Sequence, residues 1–126
     1  MTDAGPFAAV LPPDLNELHT LRHDVARWLG QVGIDGEVRD AVVFATHEAV
    51  ASAMMSPGDV FVDARSDGDE VTVVVTSADG WTSPDDDLGG RRMSIVRDVV
   101  ENVSFEKRSG GPSLRFQKHL YRRAPG

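Results

Sequence analysis

A chain of 126 residues, 40% hydrophobic and 26% charged, makes one ordinary globular domain that buries roughly two-thirds of its unfolded surface, with no room for a second. The net charge of −7 is uneven, with 10 acids against 3 bases in residues 1–63 and 10 of each in residues 64–126, which argues against nucleic acid as a partner. No apolar run approaches the ~20 residues of a membrane span, Met1 to Pro6 lacks the basic and apolar regions of a signal peptide, and cysteine is absent; a cytoplasmic protein without disulfides, thiolate zinc sites or cysteine nucleophiles is expected.

Phe7 to Leu11 reads as a first strand, stopped by Pro12-Pro13. Asp14, with Glu17 three residues on, is a suitable N-cap for a helix. In it Leu15, Leu18, Leu21, Val25, Trp28, Leu29 and Val32 recur at helical spacing until Gly30 and Gly33 weaken the end. Asp35 caps a second helix through about Met54, and Val38, Val42, Ala45, Ala49 and Ala53 give it a face of mostly small residues that can lie close to a sheet. Val60, Val62 and Ala64 then alternate as a strand, and Ser66-Asp67-Gly68-Asp69 turns the chain into a partner strand from Val71 to Thr76.

Ala78 to Gly90, with Gly80, Pro84 and the triplet Asp85-Asp86-Asp87, reads as a long loop of the kind that carries function in small domains. Met93, Ile95, Val96, Val99 and Val100 make a short third helix. Val103 to Phe105 and Leu114 to Phe116 alternate around Ser109-Gly110-Gly111-Pro112 as a final hairpin, and the tail after Leu120 is expected to fray. The order predicts a single α/β (α+β) two-layer sandwich over residues 1–126, with its core at about 7–120: a mixed, mostly antiparallel five-stranded sheet with three helices on one face.

Positions i and i+4 share a helix face, so Glu48 and Ser52 point into one cleft. Glu48 there is either a general base or a glutamate paired with a nearby arginine. Arg91 and Arg92 either hold phosphates or fill the cleft by pairing with Glu48 or Asp79. Trp81 either anchors the loop or meets a partner, because a large apolar ring in a polar segment finds something to cover. His47 has no companion at metal-ligand spacing, and His19 with His23 lacks a third ligand. Residues 88–126 carry nine bases against Asp98, Glu101 and Glu106, a solvated basic face or a patch for phosphate or an acidic protein.

The order of elements, with Leu21-Arg22, Val25, Trp28-Leu29, Gly33, Glu48-Ala49-Val50, Ala53 and Gly89-Gly90-Arg91, resembles the anti-sigma-factor serine kinases of the histidine-kinase-like ATPase superfamily, from about Phe7 to Leu120. The resemblance implies a Bergerat-type nucleotide-binding fold, sequestration of a sigma factor, and phosphorylation of a serine on an anti-sigma antagonist. It implies Glu48 as the catalytic acid. Ser52 stands where the family has a magnesium-ligating asparagine; a hydroxyl is shorter and presents its oxygen differently at ~2.1 Å. In the simplest register Ser77 and Asp79 stand where the family has an adenine-binding aspartate and a glycine two residues later; a shift by two residues makes Asp79 the acid but puts Trp81 at the glycine, and neither register restores the motif. The phosphate lid falls on Gly89, Gly90, Arg91, Arg92 and Met93, with arginine at 92 in place of glycine, and the terminal glycine-threonine signal reads Gly111-Pro112.

These replacements predict a regulatory protein with a degraded ATP site that acts by protein contact in a partner-switching pathway. Its expected partner is a sigma factor or an anti-sigma-factor antagonist, bound through Trp81, Arg91, Arg92 and Arg97, and a homodimer stays open. No membrane partner and no cofactor are expected, or ATP and magnesium at Ser52 if the site works. The alternatives are an active serine kinase with Glu48 as base, and a small-ligand sensor that uses the former nucleotide cleft.

Overall fold

The structure is a computed structural model that describes residues 5–78, 94–108 and 111–120. The elements in chain order are β1 (Phe7–Leu11), α1 (Glu17–Gln31), α2 (Gly36–Ala53), β2 (Val60–Ser66), β3 (Glu70–Ser77), α3 (residues 94–99), β4 (Glu101–Arg108) and β5 (Gly111–His119). The five strands form one sheet in the order β1-β2-β3-β5-β4. Every pairing between them is antiparallel, so the described sheet holds no parallel pair. β4, the next strand in the chain, lies at the sheet edge, and β5 fills the place between β3 and β4.

Strict alternation decides which face of the sheet is covered. Val60, Val62 and Ala64 of β2, Val71, Val73 and Val75 of β3, and Leu114 and Phe116 of β5 are all buried on one face. At roughly 1.5–3 kcal/mol for each fully buried large apolar side chain, this layer is the main stabilising term. α2 lies on it because Ala45, Ala49 and Ala53 are completely buried and hold the helix axis close. α1 packs against α2 and β1 through Leu18, Leu21, Val25, Trp28 and Leu29. The Trp28 ring lies 6.1 Å from that of Phe7, and its Nε1 donates to the Gly5 carbonyl at 2.8 Å, which ties the chain's start to the core.

Helix α1 begins later than the sequence suggests. Asp14 does not cap it: its Oδ1 accepts the Asn16 backbone N–H at 3.0 Å in a turn ahead of the helix, and Asn16 is the N-cap, with no side-chain cap bond. Leu15 therefore lies outside the apolar stripe, 64% exposed. The end of α1 follows the glycines. Gly33, at φ 84°, lets Ile34 N–H reach the Leu29 carbonyl and Gly33 N–H reach that of Gly30, a Schellman arrangement that buries Ile34.

The β2–β3 turn is built by Asp67, whose Oδ1 accepts the N–H groups of Asp69 and Glu70, both at 3.0 Å, while Gly68 takes φ 96°. Those two bonds hold the Asp67 carboxyl below the ordinary aspartate range. A depressed folded value means that the stabilisation is present above the unfolded value and is lost as pH falls through the folded one. Acid titration followed by amide exchange is expected to loosen residues 66–70 before the rest of the sheet.

The last hairpin is longer than the alternating runs suggest, because β4 starts at Glu101 with a register shift between Glu101 and Ser104. Asn102 sits there at φ 53°, and its Nδ2 donates to Gln117 Oε1 at 2.7 Å. Gln117 Nε2 in turn donates to Glu70 Oε1 at 2.9 Å, so the irregularity is satisfied by side chains across three strands.

Candidate functional site

Helix α2 ends at Ala53, and the connection over residues 54–59 leads to Val60, whose register partner is Ser77. Ala78 N–H closes the junction by donating to the Asp59 carbonyl at 3.0 Å. The last turn of α2 and the last residue of β3 therefore meet at one end of the sheet, which brings Ser52 and Ser77 to the same end of the molecule. Both side chains are buried. Among the described residues the Ser77 hydroxyl has no hydrogen-bond partner, a situation that costs about 1–3 kcal/mol unless something else supplies one.

Glu48 lies one turn before Ser52 and is half-buried. Its Oε2 stands 2.8 Å from His47 Nδ1. One partner is thus the preceding residue, and side chains at i and i+1 do not normally face each other on a helix, so no spacing pattern announces it. Glu48 and His47 also line a groove between α1 and α2 with Arg22, Ala26, Val43 and the exposed Phe44. Sequence reasoning missed this groove because its lining comes from two helices whose contact is tertiary.

Gly111, read as a remnant of a nucleotide signal, has a backbone reason to be glycine. It opens β5 at φ 125°, and a Cβ there would overlap the Ser77 carbonyl oxygen. Arg97 is exposed on α3, as a contact residue requires. Asp79, Trp81, Gly89, Gly90, Arg91, Arg92 and Met93 lie outside the described residues, as does the triplet Asp85-Asp86-Asp87. His19 and His23 are exposed on α1, their rings edge-on at 5.0 Å, and among the described residues no three His, Cys, Asp or Glu side chains form a metal-holding group.

The donors fit the two halves of a magnesium nucleotide unequally. An unpartnered hydroxyl at Ser77 can donate to or accept from the edge of a base. The metal half offers a Ser52 hydroxyl and the His-bound Glu48, without an amide oxygen, and is a poor octahedral donor set for magnesium.

A two-layer sandwich, with an antiparallel sheet under α2 and an acid on that helix near the end of the central strand, is the architecture of a histidine-kinase-like ATPase domain. The histidine kinase-like ATPase domain family matches residues 11–118, and the chain belongs to that family. Among solved structures, the RsbU and RsbW domains of Rv1364c from Mycobacterium tuberculosis match with a TM-score of 0.75 at 23% identity, over 95% of this chain. This chain spans 34% of that one, and the likeness is one of fold. No curated protein matches. No described helix is long and apolar enough to cross a membrane.

Proposed function

We propose that this chain is a regulatory binding protein of anti-sigma-factor type, with a degraded ATP site, that acts by contact with a protein partner in a partner-switching pathway of transcription control. The observation that carries this reading is the buried pair of hydroxyls, Ser52 and Ser77, at the positions where the resemblance puts a metal-binding amide and an adenine-binding acid. A serine at 77 removes a charged acceptor, and a hydroxyl at 52 shortens the metal ligand, so both halves of the nucleotide lose strength while the fold stays intact. The partner in this reading is a sigma factor or an anti-sigma-factor antagonist. The α1–α2 groove supports it, with Phe44 and Val43 as apolar lining and a rim of mixed charge made by Arg22 and Arg39 beside Asp40 and Glu48.

Mixing the purified protein with such partners, with and without ATP and magnesium, tests the reading by size-exclusion chromatography. Complex formation that is indifferent to nucleotide is expected; a complex that needs ATP, or phosphoserine on the antagonist, contradicts it. The second reading, an active serine kinase, draws on Glu48, half-buried and held by His47 as a positioned base would be.

Trp81→Ala and Arg92→Glu are expected to leave the thermal midpoint nearly unchanged and each to weaken partner association about tenfold or more, because aromatic and guanidinium groups dominate binding surfaces. If Trp81 belongs to the core instead, its truncation lowers stability by ~3–5 kcal/mol and spares binding in the folded fraction. Calorimetry and a pull-down on the same samples separate the two.

A further inference from the structure

The two edges of the sheet are built differently. β4 closes one edge with Glu101, Glu106 and the register irregularity at Asn102, features that discourage a further strand from pairing there. β1 closes the other with Phe7 to Leu11, a run without charge or bulge, and its outer backbone groups have no strand partner among the described residues. Ala8 and Val10 are exposed, Val10 at 61%, so this edge is flat, apolar and open. Helix α1 runs antiparallel to β1 along it, because Leu11 meets the first turns of the helix while the Phe7 ring lies beside Trp28. Between helix and strand is a groove lined by Ala9, Val10, Leu11, Glu17, Thr20 and Asp24. Glu17, Thr20 and Asp24 share one flank of α1, with the two acids seven residues and therefore ~10 Å apart along the axis. Both acids are partly buried, and neither has an ion pair or side-chain hydrogen bond among the described residues. A charge taken partly out of water is costly unless paired, so a cation supplied from outside stabilises both. Arg27, exposed on the same flank, ends the acidic stretch toward Phe7.

We infer that the β1 edge and the flank of α1 above it form a docking site for an extended, basic segment of a partner protein, which adds to the sheet as a further strand. Main-chain hydrogen bonds to β1 supply affinity that any sequence can share. Alternate side chains of the added strand, about 7 Å apart, rise toward α1, so lysine or arginine at successive alternate positions reaches Glu17 and Asp24. The intervening side chains lie beside Ala8 and Val10 and are apolar. Pro6 and Pro12 bound the edge, since neither has an N–H to offer a ladder. A second copy of this chain fits the edge poorly: antiparallel pairing of β1 with β1 puts both α1 helices on one face and sets their acidic flanks against each other. An acidic segment meets the same repulsion. The site uses no residue of the nucleotide cleft or the α1–α2 groove, so the inference does not rest on the proposed function.

The probe is an end-blocked peptide of alternating lysine and valine, about seven residues long, titrated into the full chain and followed by fluorescence anisotropy and by amide exchange. Saturable binding with a dissociation constant on the order of tens to hundreds of micromolar is expected, with new amide protection in Phe7–Leu11. N-methylation of every second peptide amide is expected to weaken binding about 10-fold or more in one phase, the one that faces β1, and far less in the other. Glu17→Gln combined with Asp24→Asn is expected to weaken the lysine probe about 10-fold with unchanged circular dichroism, and to leave binding of a probe with glutamine in place of lysine as it was. The contrast between the two N-methylated phases is read on the wild type and decides the matter if the double variant fails to fold. Absence of saturable binding up to ~1 mM, equal binding of both N-methylated phases, or a folded double variant that binds the lysine probe like wild type overturns the proposal. So does a β1 that ignores the probe and gains protection as the protein alone is concentrated, which makes a second copy the occupant.

Discussion

Gly111→Ala is expected to be the most damaging glycine-to-alanine change among the described residues. Two costs combine at this position. The backbone is at φ 125°, where an L side chain is strained by about 1–3 kcal/mol. The added Cβ would also overlap the carbonyl oxygen of Ser77, a backbone atom of β3 that cannot swing away as a flexible side chain would. Relief requires that the ends of β3 and β5 separate, and overpacking of this kind costs about 1–3 kcal/mol more. A total of about 2–6 kcal/mol corresponds to a fall in Tm of roughly 6–30 °C for a domain of this size. Gly68→Ala is the control: it also has positive φ, 96°, but nothing lies within 4 Å of its Cβ, so only about 1–2 kcal/mol is expected. Thermal unfolding of both variants decides the matter, and equal losses would mean that the overlap with Ser77 contributes nothing.

Ser52→Asn is expected to strengthen binding of magnesium ATP about 10-fold to 100-fold, the value of one recovered interaction with a charged group. The amide restores a longer oxygen ligand at the position one turn beyond Glu48. Arg92→Gly added to it is expected to give a further gain that exceeds the sum of the separate effects, since both changes act on the same phosphates. Ser52 is buried, so the variant's Tm is measured beside its affinity. If neither change increases affinity in a folded protein, the cleft is closed for another reason, and the base-binding end at Ser77 becomes the place to look.

Local chemistry made much of the scaffold legible. Gly33 announced the end of α1 because the Schellman turn needs a left-handed residue there, and Asp67-Gly68 announced the β2–β3 hairpin for the same kind of reason. The alanine face of α2 was readable as close packing because only small side chains let a helix approach a sheet so nearly. What escaped was set by tertiary contact. Asp14 had the right chemistry for a cap, but the chain uses its carboxylate in the preceding turn. The Asn102 irregularity depends on Gln117, which is distant in sequence. At the site, the i, i+4 spacing of Glu48 and Ser52 was visible, whereas the bond to His47, the burial of the Ser77 hydroxyl and the steric reason for Gly111 depend on neighbours that no linear pattern places.

The central claim is that hydroxyls at Ser52 and Ser77 leave a nucleotide cleft too weak to serve as a kinase site. Calorimetric titration of the wild-type protein with ATP in the presence of magnesium tests it most directly. Two weakened interactions at about 1.5–3 kcal/mol each remove two to four orders of magnitude of affinity, so a dissociation constant on the order of millimolar, or no saturable heat, is predicted. A constant in the micromolar range or tighter would contradict the account and restore the kinase reading with Glu48 as its base.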